Sequence, residues 1–215
     1  MKKPVYYSQK DSRWGKLIYA AATDKTPETI AASGCGPTCM AMILAEWVDA
    51  KITPAETCKM AVDLKDRTDN NGTEWEYFGH VASKYKLPMK QTSVTDEVVK
   101  ALQAGALVVC SMSKGYFTKG GHFILAYGYD GNNILVNDPA STVRVKASVA
   151  VFKAQSKQYF IFTQKETKPM HMTFTAALDI IDQKVGIDKA YWLGKEKIDT
   201  YFATLIIKIA EKMKG

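Results

Sequence analysis

The chain has 215 residues, 47% of them hydrophobic and 24% charged, with a formal charge of +7. That length allows one full core plus a small appendage, and the charge suits an anionic partner surface. No dense basic cluster is interleaved with aromatics, so a nucleic-acid partner is not expected.

Met1-Lys2-Lys3 runs into Pro4-Val5-Tyr6-Tyr7-Ser8-Gln9 without an apolar signal core, and no run approaches membrane-spanning length. Synthesis in the cytoplasm without a signal peptide is the expectation. Cysteines 35, 39, 58 and 110 read as free thiols rather than a disulfide framework. Cys39 follows Cys35 by four residues, with no second ligand pair at zinc spacing, so neither metal nor cofactor is expected.

Residues 4–14 read as an extended lead-in ending in a polar turn, and 15–30 as a loop of low periodicity. Next comes Ser33-Gly34-Cys35-Gly36-Pro37-Thr38, where Pro37 opens a helix from Thr38 to about Asp49. Proline suits a helix start, because the N–H it lacks would be unpaired there. Cys35 then lies at the helix N-terminus, where unpaired N–H groups and the dipole favour a thiolate. Gly34 and Gly36 leave the sulfur open to a substrate backbone. This is the setting a cysteine nucleophile needs.

Thr53-Pro54-Ala55-Glu56 starts a second helix, in which Cys58 and Met60 read as packing residues. Asp66–Gly72 is a turn-forming loop. Thr73 is expected to cap a helix through Lys86, with Trp75, Phe78, Val81, Ala82 and Tyr85 on its apolar face and His80 as an ordinary histidine. Thr95-Asp96-Glu97 opens a further helix that stops at Gly105.

The pattern then changes to strands. They are expected over 106–111, 122–129, 133–137, 143–149 and 158–163, with Lys114–Gly121 as a glycine- and aromatic-containing loop. Trp75, Tyr116 and Phe117 are candidates to line a groove. Helices followed by an antiparallel sheet argue for an α+β fold. Residues 1–163 form the expected main domain. Residues 164–172, including a solvated His171, read as a linker. Residues 173–215 read as a helical module with a stripe of Ile198, Tyr201, Phe202, Leu205, Ile209 and Met213. So short a module must dock, self-associate or bind something.

A cysteine nucleophile needs a base, and His122 after Gly120-Gly121 begins a strand at a sheet edge. If Asp130-Gly131-Asn132 is a three-residue turn, Tyr129 pairs with Asn133. Asp138 then falls opposite Ile124, diagonal to His122 on one face. A two-residue turn would put Asp138 on the other face unless a bulge intervened. In the first register Asp138 fixes the His122 tautomer and stabilises the imidazolium. Gln9 can supply the second oxyanion donor beside the backbone N–H of Cys35.

Four segments carry a resemblance: Tyr7-Ser8-Gln9-Lys10-Asp11-Ser12-Arg13-Trp14, Ser33–Thr38, Gly121-His122-Phe123-Ile124 and Asn137-Asp138-Pro139. In that order they resemble the bacteriocin-leader-peptidase-like cysteine peptidases with a papain-like fold. The resemblance spans residues 4 to about 163. It implies Cys35 as nucleophile, His122 as base, Asp138 as its orienter and Gln9 in the oxyanion hole. True leader peptidases are fused to a membrane exporter and an ATPase, and these 215 residues carry neither.

The tail resembles the helical segments that follow catalytic domains in some phage lysins, through Ala176-Ala177-Leu178-Asp179, Val185-Gly186-Ile187, Ala190-Tyr191-Trp192 and Leu205-Ile206-Ile207-Lys208. Such a lysin needs no signal peptide, because a holin releases it. The combined expectation is a phage endolysin-type hydrolase acting on peptidoglycan or an anionic wall polymer, with self-association through the C-terminal helices as an option. A cytosolic peptidase acting on a peptide tail and a non-catalytic papain-like binding module are the alternatives.

Overall fold

The computed structural model describes residues 3–68, 72–164, 174–187 and 200–213. The chain divides into two compact units, residues 1–165 and 166–215.

In the first unit a short helix α1 (Ile30–Ser33) leads through Gly34 into α2 (Cys35–Trp47). Helix α2 starts earlier than expected, at Cys35. Pro37 sits at its third position, still in the first turn, and Thr38 N–H donates to Gly34 O at 3.0 Å. Helix α3 (Pro54–Asp63) carries a capping box in which Thr53 N–H donates to Glu56 Oε2 at 2.7 Å. The turn-forming stretch is bracketed by two short strands, β1 (Arg67–Thr68) and β2 (Gly72–Thr73). Thr73 is therefore in a strand, and Trp75 is the N-cap of α4 (Glu76–Tyr85) rather than part of its apolar face.

Strand β3 (Met89–Thr92) and α5 (Thr95–Gln103) follow. Next come β4 (Leu107–Met112), β5 (His122–Tyr129), β6 (Asn133–Asn137) and β7 (Lys146–Ser148). The unit ends with α6 (Val149–Gln155) and β8 (Ser156–Phe162). Six strands form one antiparallel sheet in the order β3-β8-β4-β5-β6-β7.

Both faces of this sheet are covered, which explains the continuous apolar run of β4. One face presents Val109, Phe123, Leu125, Phe160 and Phe162 to α2 and α4. The other presents Val108, Cys110, Ile124, Ala126 and Ile161 to α5 and α6. Successive residues alternate between these two cores, as strand geometry requires.

The stretch 15–30 is tied down rather than loose. Ile18 bridges Thr29. The buried Arg67 guanidinium pairs with Asp24 at 3.3 Å and Glu28 at 2.9 Å, and lies over the Tyr19 ring.

Gly36 is a packing position, not an opening for substrate. A Cβ there would sit 3.2 Å from Phe123 Cδ2 and from Thr73. Gly36→Ala is expected to lower stability by about 1–3 kcal/mol in denaturant unfolding, because α2 must back away from β5.

The second unit contains α7 (Phe174–Val185) and α8 (Thr200–Met213). Phe174, Ala177, Leu178 and Ile181 pack with Ile206, Ile207 and Ala210. Of the expected stripe, Leu205 and Ile209 are exposed. Ile198, His171 and the linker beyond Gln164 lie outside the described residues. Among the described residues no helix is long and apolar enough to cross a membrane.

Candidate active site

Cys35 is the first residue of α2 and packs at the edge of the helix-side core, partly exposed. His122 is the first residue of β5, the strand against which α2 packs. Asp138 follows the last residue of β6. Helix start, strand start and strand end thus converge on one point.

The β5–β6 turn differs from the expected three-residue loop. Asp130 N–H donates to Asn133 O at 3.1 Å, and the Asp130 carboxylate takes the N–H groups of Asn132 and Asn133. Tyr129 therefore pairs with Ile134 across a four-residue turn. A bulge between Ala126 and Gly128 then shifts the register by one, so Leu125 pairs with Asn137. The bulge restores the alignment that a three-residue turn would have given at the end of the strand. His122 Nε2 meets Asp138 Oδ1 at 2.7 Å. Asp138, 1% exposed, also takes Ala140 N–H on Oδ1 at 2.8 Å and Arg144 Nε–H on Oδ2 at 2.6 Å.

The electrostatics follow from this chain of contacts. Burial pushes the Cys35 thiol up. A hydrogen bond and charge attraction from His122, with N–H donation by Phe123 and Gly36, outweigh it and leave the thiol below its ordinary value. Burial pushes His122 down, but Asp138 and Cys35 together raise it to about 9. With Nε2 on Asp138, Nδ1 is the ring nitrogen left for the sulfur. The pair is suited to exist as thiolate and imidazolium near neutral pH. The other thiols are inert by comparison: Cys39, Cys58 and Cys110 are buried, and burial raises all three.

Gln9 is 4% exposed and doubly held. Its backbone N–H donates to Pro139 O at 2.9 Å, and its Nε2 donates to Ala31 O at 2.8 Å. One amide hydrogen is therefore committed and the other remains. The N-terminal segment thus ties Gln9 to the turn that carries Asp138.

A groove of about 890 Å³ runs over these residues and is lined by Gln9, Cys35 and His122 among others. Its lining also includes the small residues Ala31, Ala32, Gly72, Gly121 and Ala140. Of the three expected groove aromatics only Trp75, 38% exposed, lines it. Phe117 is buried against Phe152, and Tyr116 is exposed outside the groove. His80 pairs with Asp66 at 2.9 Å and lies apart from the groove. Sequence reasoning missed Arg144, which no local pattern marks.

The chain is similar to several solved structures. One is the peptidase domain of Streptococcus ComA, a bi-functional ABC transporter involved in quorum sensing: 14% identity, 70% of this chain and 99% of that one, TM-score 0.49. Another is a C39-like peptidase from Bacillus anthracis: 17% identity, 61% and 89%, TM-score 0.48. A third is a double glycine motif protease from an AMS/PCAT transporter, in complex with the leader peptide: 20% identity, 77% and 100%, TM-score 0.47. A search of curated proteins gave no match. The model of the Peptidase_C39 like family matches residues 3–167. The chain thus belongs to the Peptidase_C39 like family and is a cysteine peptidase with a papain-like fold.

Proposed function

We propose that this peptidase is a phage endolysin-type peptidoglycan hydrolase that cuts an amide bond of the stem peptide or cross-bridge. The observation that carries the reading is the groove itself. Its lining includes the small residues Ala31, Ala32, Gly72, Gly121 and Ala140, which suit the small residues of such peptides. Glu74 on the same groove suits an amino group of the stem peptide. The charge of +7 favours an anionic wall, and the separate helical unit is suited to hold the enzyme there or to pair with a second copy.

In this reading Cys35 Sγ, as thiolate, attacks the amide carbonyl. The Gln9 amide and the backbone N–H of Cys35 receive the negative oxygen. His122 gives its proton to the departing nitrogen, the C–N bond breaks and a thioester remains. Neutral His122 then takes a proton from water, the water oxygen attacks the thioester, and thiolate and carboxylate are released. Asp138 keeps the ring oriented throughout.

Family membership favours a second reading, cleavage of a peptide or protein tail. Amine release from purified Gram-positive peptidoglycan separates the two. The wall reading expects new termini, identified by mass spectrometry, that are absent with Cys35→Ala. No release from the walls of several species would leave the peptide-tail reading.

A further inference from the structure

Arg144 reaches the site through the Asp138 carboxylate. The chain turns back after Asp138 to bring it there. Ser141 N–H donates to Asp138 O at 3.1 Å, and Ser141 Oγ takes the N–H groups of Val143 and Arg144 at 3.3 Å each. Val136 N–H then donates to Val145 O at 2.8 Å and closes the loop. The result is a guanidinium fixed on Asp138 Oδ2 at 2.6 Å, opposite the oxygen that faces His122. Thiolate, imidazolium, carboxylate and guanidinium then follow one another in a chain of contacts with alternating sign.

We propose that Arg144 is a positioning residue that acts through Asp138: it shares the carboxylate's charge, so that the imidazolium can release its proton to the departing amine. Left to one carboxylate alone, a buried imidazolium holds its proton more tightly and becomes a poorer general acid. A second cation on the same carboxylate opposes that. Burial would push Asp138 up, yet His122 and Arg144 outweigh it and keep the carboxylate ionised.

Other groups face the pair. Cys35 and Cys39 come from α2. Tyr6 donates its hydroxyl to Asp138 O at 3.1 Å. Lys3 lines a small cavity beside Asp138, and Lys10, Glu28, Glu74 and Lys157 line the groove. The two contacts from side chains to the Asp138 carboxylate among the described residues are those of His122 and Arg144. Without Arg144, Asp138 stays buried and keeps Ala140 N–H.

The inference rests on Cys35 and His122 acting as the catalytic pair, and its test needs no substrate. The ring protons of His122 are titrated by NMR in the intact protein, alongside iodoacetamide alkylation of Cys35 as a function of pH. Arg144→Gln should move the His122 midpoint upward by about 0.5 pH or more, and Arg144→Lys should return it close to wild type. An unchanged or lowered midpoint in Arg144→Gln would overturn the proposal, since a merely structural arginine would leave it in place or release His122 toward its solvent value. If Arg144→Gln does not fold, the wild-type Arg144 Nε–H resonance decides. It should shift with the His122 midpoint, and a signal flat across that midpoint would overturn the proposal. Cys35 alkylation that shows no coupling to His122 in the wild type would instead count against the catalytic pair itself.

Discussion

Cys35→Ala is expected to lower amide hydrolysis by at least about 10³-fold, because the sulfur forms the covalent bond and no neighbouring group can replace it. Cys39 cannot substitute: it lies one turn further into α2, fully buried, with its thiol held well above the ordinary value. The fold should survive the change. Cys35 is partly exposed at the first position of α2, and alanine is the best helix former. A melting temperature near that of wild type, beside lost hydrolysis, would locate the effect in the chemistry. Retained hydrolysis would remove Cys35 from the mechanism.

His122→Ala is expected to have a comparable effect on hydrolysis, by a different route. His122 offsets the burial that would otherwise raise the Cys35 thiol. Without it the thiol returns to its ordinary value or higher, and at pH 6 an ordinary thiol is only about 0.3% ionised. Alkylation of Cys35 by iodoacetamide at that pH should slow by at least about tenfold. The sign of the pH dependence follows from the same pair. Hydrolysis should rise as pH passes the lowered Cys35 value, since the thiolate is the nucleophile. It should fall as pH passes about 9, where His122 loses the proton it must donate.

Cys35, His122 and Asp138 could be placed from sequence because each depends on a local rule. A helix N-terminus favours a thiolate, a strand start follows a glycine pair, and strand pairing fixes which residues share a face. The pairing rule survived a wrong turn length only because the bulge at Tyr127 compensated for the fourth residue of the turn. Gln9 was placed by the chemistry an acyl-transfer site needs, whereas its anchoring to Ala31 and Pro139 crosses long stretches of chain.

What was missed has no local signature. Arg67 orders residues 15–30 through Asp24 and Glu28, some forty residues away in sequence. Strand β3 is a polar edge, Met-Lys-Gln-Thr, defined only by its pairing with β8. Val149–Gln155 begins with two β-branched residues in three, yet Ser148 accepts the Val151 N–H and starts it as a helix. In α8 Ile206, Ile207 and Ala210 pack inward while Leu205 and Ile209 are exposed, although all five are apolar. Periodicity cannot choose a face where two adjacent faces are both apolar.

Pairing with His122 singles out Cys35 among the four thiols. The most direct measurement treats the full chain with iodoacetamide at pH 6 and maps the alkylated peptides by mass spectrometry, for wild type and His122→Ala. Rapid labelling is expected at Cys35, with none at Cys39, Cys58 or Cys110 on the same timescale, and with loss of the Cys35 signal in His122→Ala. Labelling of Cys35 no faster than that of the three buried thiols, or unchanged labelling in His122→Ala, would contradict it.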